Sequence, residues 1–264
     1  MTDKLKLGIV GCLGRMGQAI AVAIESSKKA ELVAGSEVAT HSGVGDYLPG
    51  TQVIVSDSAR SVFDAVDVVI DFTPPGNTAI HAALAAETKT ALVVGTTGFS
   101  AEDNAALDVA ATDTVIIQAG NYALGVNVLM ALVKQAAAKL DTAWDIEVLE
   151  MHHRHKVDAP SGTALMLGEA AAEGRGDNLD NLRAGPYDGI TGERESGSIG
   201  FAALRGGSVI GEHDVIFASD SERITLSHRA ENRTLFADGA VRTAIWAASQ
   251  LTGRYSMNDV LGLE

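Results

Sequence analysis

Residues 150–164 read Glu-Met-His-His-Arg-His-Lys-Val-Asp-Ala-Pro-Ser-Gly-Thr-Ala and place His152, His153 and His155, three of the chain's seven histidines, directly before Lys156. Imidazoles exchange protons near neutral pH and act as general acids or bases. Arg154 and Lys156 add positive charge that can hold an anion. The Pro-Ser-Gly-Thr corner then opens an apolar helical pattern at Ala164, Leu165, Leu167 and Ala171, with Ser161 as the expected N-cap. Gly162 and Thr163 fall in that first turn. Its free N–H groups and dipole favour a carboxylate by about 0.3 to 2 kcal/mol. The chemistry expected of the stretch is proton donation beside an anion clamp. Packed or solvated histidines, a histidine metal tract and a purely structural turn compete with it, and the metal reading lacks both His-Glu-x-x-His spacing and a cysteine partner.

An element must hold these groups, and residues 145–151 read as a strand entering the stretch from a long apolar helix at 124–140. Upstream, the apolar run 5–10 leads into Gly11-Cys-Leu-Gly-Arg-Met-Gly17 and then a helical pattern at Ala19, Ile20, Ala23 and Ile24. The spacing is G-x-x-G-x-x-G rather than G-x-G-x-x-G, yet the physics is shared: a tight turn, close backbone approach and a helix N-terminus that attracts a pyrophosphate. A strand–helix turn without a ligand is the alternative. A second strand pattern at 30–35 ends at Glu37, twenty residues after Gly17, where a carboxylate can accept hydrogen bonds from ribose hydroxyls. Val38 follows and the nearest cation is Arg15, which favours NADH slightly and leaves NADPH open.

Buried-strand runs at 66–72, 91–95 and 114–118 alternate with Ala-rich helical segments at 77–87 and 101–111. Such alternation predicts a parallel sheet whose ligand crevice lies at the carboxyl ends of its strands, so Asp71-Phe-Thr, Gly95-Thr-Thr-Gly98 and Ala119-Gly-Asn-Tyr122 share one edge. Residues 174–197 lack a period and read as a long loop. Three strand patterns at 198–204, 208–217 and 223–227 follow one another and predict an antiparallel sheet. A last helix at 235–251 is expected to return to the first domain.

A net charge of −14 and a pI near 4.8 exclude a nucleic-acid backbone as the natural partner. The longest apolar run, 126–133, stops short of the ~20 residues a spanning helix needs, so no membrane segment is expected. Cys12 is the single cysteine and the N-terminal Met-Thr-Asp-Lys enters a strand pattern without a leader, so the expected compartment is the cytoplasm.

Taken with Gly95-Thr-Thr-Gly-Phe99, Gly125-Val-Asn, Arg205-Gly-Gly, Gly211-Glu-His213, His228-Arg-Ala and Arg233, these motifs make the chain resemble the 4-hydroxy-tetrahydrodipicolinate (dihydrodipicolinate) reductase family over essentially its whole length. The resemblance implies an α/β fold: an N-terminal Rossmann-like dinucleotide-binding domain of residues 1–123 and 233–264, and a C-terminal α+β substrate and oligomerisation domain of residues 124–232 with a mostly antiparallel sheet. It implies His152 as the proton donor or acceptor, Lys156 as a second acid, and His153, Lys156, Gly162 and Thr163 as holders of the two carboxylates of a cyclic substrate. For NADH or NADPH it implies Gly11, Cys12, Leu13, Gly14, Arg15, Met16, Glu37, Gly95, Thr96, Thr97, Ala119, Gly120, Asn121 and Tyr122. A homotetramer and a role in diaminopimelate and lysine biosynthesis follow from it as well. Val38 departs from family members that carry a basic residue there, and Ala119-Gly-Asn-Tyr-Ala-Leu-Gly departs from the usual Asn-Phe/Met-Ser form.

Overall fold

The computed structural model describes residues 4–263, so the expectation drawn from Met1, Thr2 and Asp3 lies outside the described residues. The chain divides into two compact units, one ending at Ala123 and resuming over Thr234–Gly262, the other Leu124–Arg233. In the first lie β1 (Leu5–Val10), α1 (Arg15–Glu25), β2 (Ala30–Ser36), β3 (Val55–Ser56), α2 (Ala59–Phe63), β4 (Val68–Asp71), α3 (Thr78–Thr88), β5 (Ala91–Val94), α4 (Ala101–Ala110) and β6 (Val115–Gln118). The second holds α5 (Leu124–Lys139), β7 (Asp145–His152), α6 (Gly162–Gly174), α7 (Leu179–Leu182), β8 (Ile199–Arg205), β9 (Glu212–Ala218) and β10 (Arg223–Arg229). The chain then returns to the first unit with α8 (Thr234–Ala247), β11 (Gly253–Tyr255) and α9 (Met257–Leu261).

The first unit's sheet runs β11-β6-β5-β4-β1-β2-β3, and every pairing is parallel. Its central strands β4 and β5 are buried along their whole length, as unbroken apolar runs covered on both faces must be. Strand order turns back between β1 and β4, which opens a crevice where Val10 lies opposite Asp71. The Rossmann-like reading therefore holds for this unit. Four short elements, β3, α2, β11 and α9, escaped the sequence because they span too few residues to display a period.

The second unit departs from expectation. Its sheet is mixed, in the order β10-β9-β7-β8: β9 pairs antiparallel with β10 and β7, but β8 pairs parallel with β7 and does not form a hairpin with β9. The cause is the connection. A strand followed by helices α6 and α7 crosses over and re-enters the sheet from the same end, which makes β8 parallel. Residues 174–197 are likewise not wholly a loop, since α7 forms there with Asn178 as its N-cap. The stretch beyond α7 is tied to β7 by Arg194, which donates to Asp145 at 2.8 Å, Glu147 at 3.1 Å and the carbonyls of Ile146 and Ser198.

Alternation along β7 buries Ile146, Val148, Glu150 and His152 on one face. Leu129, Val133 and Ala137 of α5, Leu167 and Ala171 of α6, and Val215 and Phe217 of β9 close the apolar part of that face. Glu150 and His152 continue the same row beyond it. Among the described residues no helix is long and apolar enough to cross a membrane. Phe217 has no exposed surface, so Phe217→Ala is expected to lower stability by about 3–5 kcal/mol in denaturant unfolding; a loss under about 1 kcal/mol would show a core that is not closed there.

Candidate active site

In the first unit the glycine turn is shaped by contact. Gly11 has φ +72°, and a Cβ on Gly17 would overlap the Gly11 carbonyl and the Cys12 backbone, so strand and helix approach as closely as main chain allows. Helix α1 starts after Gly14 without any side-chain cap, leaving its first N–H groups without the usual acceptor. The Glu37 carboxylate accepts from Leu13 N at 3.2 Å and Val38 N at 3.0 Å, which fastens the second strand's end to the turn. A cavity of about 150 Å³ lies here, lined in part by Gly11, Ser36, Glu37, Val38, Thr73 and His81. Arg15 is exposed and Met16 half-buried, whereas Cys12 is fully buried. Burial, with the Glu37 charge, pushes the Cys12 thiol up to about 11 and keeps it protonated.

Along the same sheet edge, Thr96 is buried and donates to the Thr73 carbonyl at 2.7 Å, while Thr97 is exposed beside half-buried Gly95. Asp71 is fully buried and accepts from Thr73 N at 2.8 Å and Thr73 Oγ1 at 2.7 Å, with His81 Nδ1 at 2.7 Å from its other oxygen. Ala119 donates to Val94 O, Gly120 is exposed, and Asn121 Oδ1 accepts from Ala123 N. Tyr122 is turned inward: its hydroxyl donates to Val94 O at 2.8 Å and its burial holds the phenol protonated. Its side chain therefore serves the core.

In the second unit β7 runs one residue further than expected, through His152. Strand residues two apart share a face, so Glu150 and His152 stand side by side, 2.6 Å from Oε2 to Nδ1. Arg205, opposite His152 on β8, forks onto both Glu150 oxygens at 2.7 Å each. Ser161 N, at the α6 cap, donates to Oε1 at 3.0 Å. Burial acts to raise the Glu150 pKa, but the hydrogen bonds from Arg205 and His152 outweigh it and hold the carboxyl below its ordinary value. The carboxylate accepts, so His152 Nδ1 carries the proton and Nε2 is the exchangeable nitrogen.

His213 lies opposite Glu150 on β9, its ring 5.1 Å from that of His152. Burial, then the charge of His152, pushes it down to about 4. Neutral His213 Nε2 shares a hydrogen bond with the Ser161 hydroxyl at 3.1 Å, and that oxygen accepts from Ala164 N at 3.1 Å, so the cap of α6 is locked to the sheet. Gly162 and Thr163 follow on the first turn, with open space where a Gly162 Cβ would stand.

The remaining predicted residues do not all converge on His152. His153 lines a cleft of about 720 Å³ with Arg154, His155, Gly207, Ser208 and Arg233. Its Nδ1 is buried without a hydrogen-bond partner among the described residues. Burial, then the charge of Arg233, lowers its pKa. Among the described residues no acidic side chain lines this cleft, which suits an anion. Lys156 pairs with Asp158 at 2.9 Å. No group of three or more His, Cys, Asp or Glu is placed to hold a metal among the described residues.

Comparison with known proteins bears on both units. Residues 5–122 match the family described as dihydrodipicolinate reductase, N-terminus, and residues 125–261 match dihydrodipicolinate reductase, C-terminus. The chain belongs to the dihydrodipicolinate reductase family. A 4-hydroxy-tetrahydrodipicolinate reductase of Ruegeria sp. (strain TM1040) is 51% identical over 269 residues, covering 100% of both chains. One of Chelativorans sp. (strain BNC1) is 52% identical over 267 residues, covering 98% of this chain and 96% of its own. Among solved structures, a dipicolinate-bound dihydrodipicolinate reductase from Paenisporosarcina sp. TG-14 superposes with a TM-score of 0.78 at 28% identity, covering 96% of this chain and 98% of that one.

For this dihydrodipicolinate reductase family member, the motifs in sequence assign no role to Glu150, Arg205 or His213, and mark Ser161 only as the helix N-cap. The period-two spacing of Glu150 and His152 was a usable signal. The partnership with Arg205 and His213 was not, since it needs the strand order. The pH consequence of His213 has a definite sign. Unfolded imidazole takes up a proton below its ordinary 6.5, the folded one only below about 4, so stability is lost as pH falls across that window. A His213→Gln variant is expected to lack roughly 3 kcal/mol of the wild-type loss between pH 7 and pH 4 in denaturant unfolding; equal losses in both proteins would refute the buried neutral imidazole.

Proposed function

We propose that this protein reduces 4-hydroxy-tetrahydrodipicolinate, by way of dihydrodipicolinate, to tetrahydrodipicolinate with NADH or NADPH in diaminopimelate and lysine biosynthesis. The observation that carries the reading is the Glu150-held His152, whose carboxylate partner also accepts from Ser161 N at the cap of a helix N-terminus that can hold a carboxylate. Membership of the family supports it over nearly the whole chain.

The residues of the first unit fit a dinucleotide. Gly11, Cys12, Leu13, Gly14, Arg15 and Met16 supply a turn and an uncapped helix start for the pyrophosphate, with Glu37 at the ribose position. Cys12 contributes through its main chain, since its thiol is buried. Gly95, Thr96, Thr97, Ala119, Gly120, Asn121 and Tyr122 form the edge assigned to the nicotinamide end, the last again through main chain alone. When bound, the reduced nicotinamide supplies a hydride.

The chain's own residues supply binding and protons. Gly162, Thr163, His153 and Lys156 hold the two carboxylates, and fixing both orients the ring. His152 Nε2 holds the proton for the carbon left electron-rich, and Lys156 serves as second acid once substrate draws it from Asp158. Loss of the 4-hydroxyl as water needs the same kind of donor. On this reading residues 1–123 and 233–264 bind the dinucleotide, and residues 124–232 bind substrate and form the oligomer. Leu149, Met151, Leu204 and Ile216 stand half-buried or exposed on the sheet face opposite α5 and α6, which suits the sheet-to-sheet contacts of a cytoplasmic homotetramer.

Following loss of nicotinamide absorbance with the product of the preceding synthase as substrate tests the assignment. His152→Ala and Lys156→Ala are each expected to lower kcat by ~100-fold or more, the scale of losing a general acid; near wild-type turnover in both folded variants overturns the roles. Paired kcat/KM measurements are expected to give NADH at least parity with NADPH, because Glu37 repels a 2′-phosphate and Val38 offers it no charge. A preference for NADPH above ~100-fold, or about 2.7 kcal/mol, contradicts this.

A further inference from the structure

Glu150 is almost fully buried and uses both oxygens completely: Oε1 accepts from Arg205 at 2.7 Å and Ser161 N at 3.0 Å, Oε2 from Arg205 at 2.7 Å and His152 Nδ1 at 2.6 Å. Three separate pieces of chain, the end of β8, the α6 cap and the His152 ring, are thereby referred to one carboxylate. Arg205 also donates to the Asp158 carbonyl at 2.6 Å, which ties the loop carrying Lys156 to the same fork. Apolar packing does not require this arrangement, since the core of the unit lies further along the sheet at Ile146 and Val148.

The far side of the His152 ring, itself buried, lies against Gly211. A Cβ on Gly211 would stand 3.0 Å from His152 Nε2 and 3.7 Å from His213 Cε1, so glycine at that position keeps space at the nitrogen that the carboxylate does not occupy. Together the two observations define a ring with one nitrogen pinned by the carboxylate and the other facing a position that only glycine leaves unfilled.

We propose that Glu150 and Arg205 are positioning residues for proton transfer at His152, the carboxylate pinning Nδ1–H and Arg205 pinning the carboxylate, so that Nε2 alone exchanges a proton with substrate. This rests on the assignment of His152 as general acid. In the step itself the Nε2–H bond breaks, its proton forms a bond to the electron-rich substrate carbon, and the electron pair left on Nε2 makes the imidazole neutral while Nδ1–H stays with Glu150. Solvent restores the Nε2 proton after product leaves.

The charges around His152 decide the direction of each test. Glu150 on its own strand favours the protonated ring, whereas Arg205 on β8, His213 on β9, with His228 beyond it, and His153 and Lys156 on the following loop oppose it when charged. Glu150→Gln keeps the shape but removes the favourable charge, so the His152 titration midpoint is expected to fall. Arg205→Gln removes an opposing charge and is expected to move the midpoint the other way while loosening the ring. Arg205→Lys keeps the charge without the fork, and is expected to leave the midpoint near wild type while kcat falls and KM for the dicarboxylate changes little.

The midpoint is read by NMR of the histidine ring nitrogens in the full-length protein without substrate or cofactor, the His152 signals being assigned by their loss in His152→Gln. Opposite shifts in Glu150→Gln and Arg205→Gln, with the high-pH limb of kcat/KM following the same directions, support positioning. Shifts of equal sign, or a His152 titration and Nδ1–H tautomer unchanged in both, overturn it. If Glu150→Gln does not fold, the Arg205 pair decides: an unchanged midpoint in Arg205→Gln, or an unchanged kcat in Arg205→Lys, refutes the proposal. Because the NMR measurement needs no turnover, a His152→Ala enzyme that stayed active would remove the acid assignment while the titrations still judged the Glu150–His152–Arg205 linkage.

Discussion

A carboxylate withdrawn from water must find donors for both oxygens or lose its charge, and the second unit is arranged around that demand at Glu150. Its bidentate arginine comes from a parallel neighbour strand, its third donor from the start of α6 and its fourth from His152 two residues on. None of these partners can shift independently. The geometry of the His152 ring and that of the α6 N-terminus are therefore set by one group, and His213 adds a second tie from β9 to the same helix cap through Ser161.

The mixed topology of the sheet serves this cluster. Were β8 to pair with β9 as a hairpin, Arg205 would lie on the wrong side of β9 and not beside His152. The helical crossover brings β8 alongside β7 in parallel, with His152 opposite Arg205 and Glu150 opposite His213 on the other side. A central strand flanked by one parallel and one antiparallel partner thus presents its acidic residue to a cation on one edge and an imidazole on the other.

The first unit solves a related problem with main chain. Its parallel strands end in a crevice at the switch point, where the bare glycine backbone of the turn packs under α1 and the helix begins without a side-chain cap. Asp71 is buried at the same edge, satisfied by Thr73 and placed beside His81, and Thr96 hydrogen-bonds across to the Thr73 carbonyl. The ends of neighbouring strands are consequently stitched together, leaving the turn and Glu37 to face the small cavity.

Much of this was legible from residues in order. Unbroken apolar runs separated by helical periods marked the parallel sheet, Ser161 marked the start of α6, and the His-His-Arg-His-Lys run marked the end of β7 where Glu150, His152 and Arg205 cluster. Such signals are local, arising from backbone geometry and the two periodicities, so the chain alone determined them. It did not determine that β8 is parallel, that Tyr122 points into the core, that Lys156 pairs with Asp158, or that His152 answers to Glu150 and Arg205. Alternation tells which face a strand residue takes but not which neighbour it meets there. That choice belongs to strand order and crossover, and only the tertiary structure makes it.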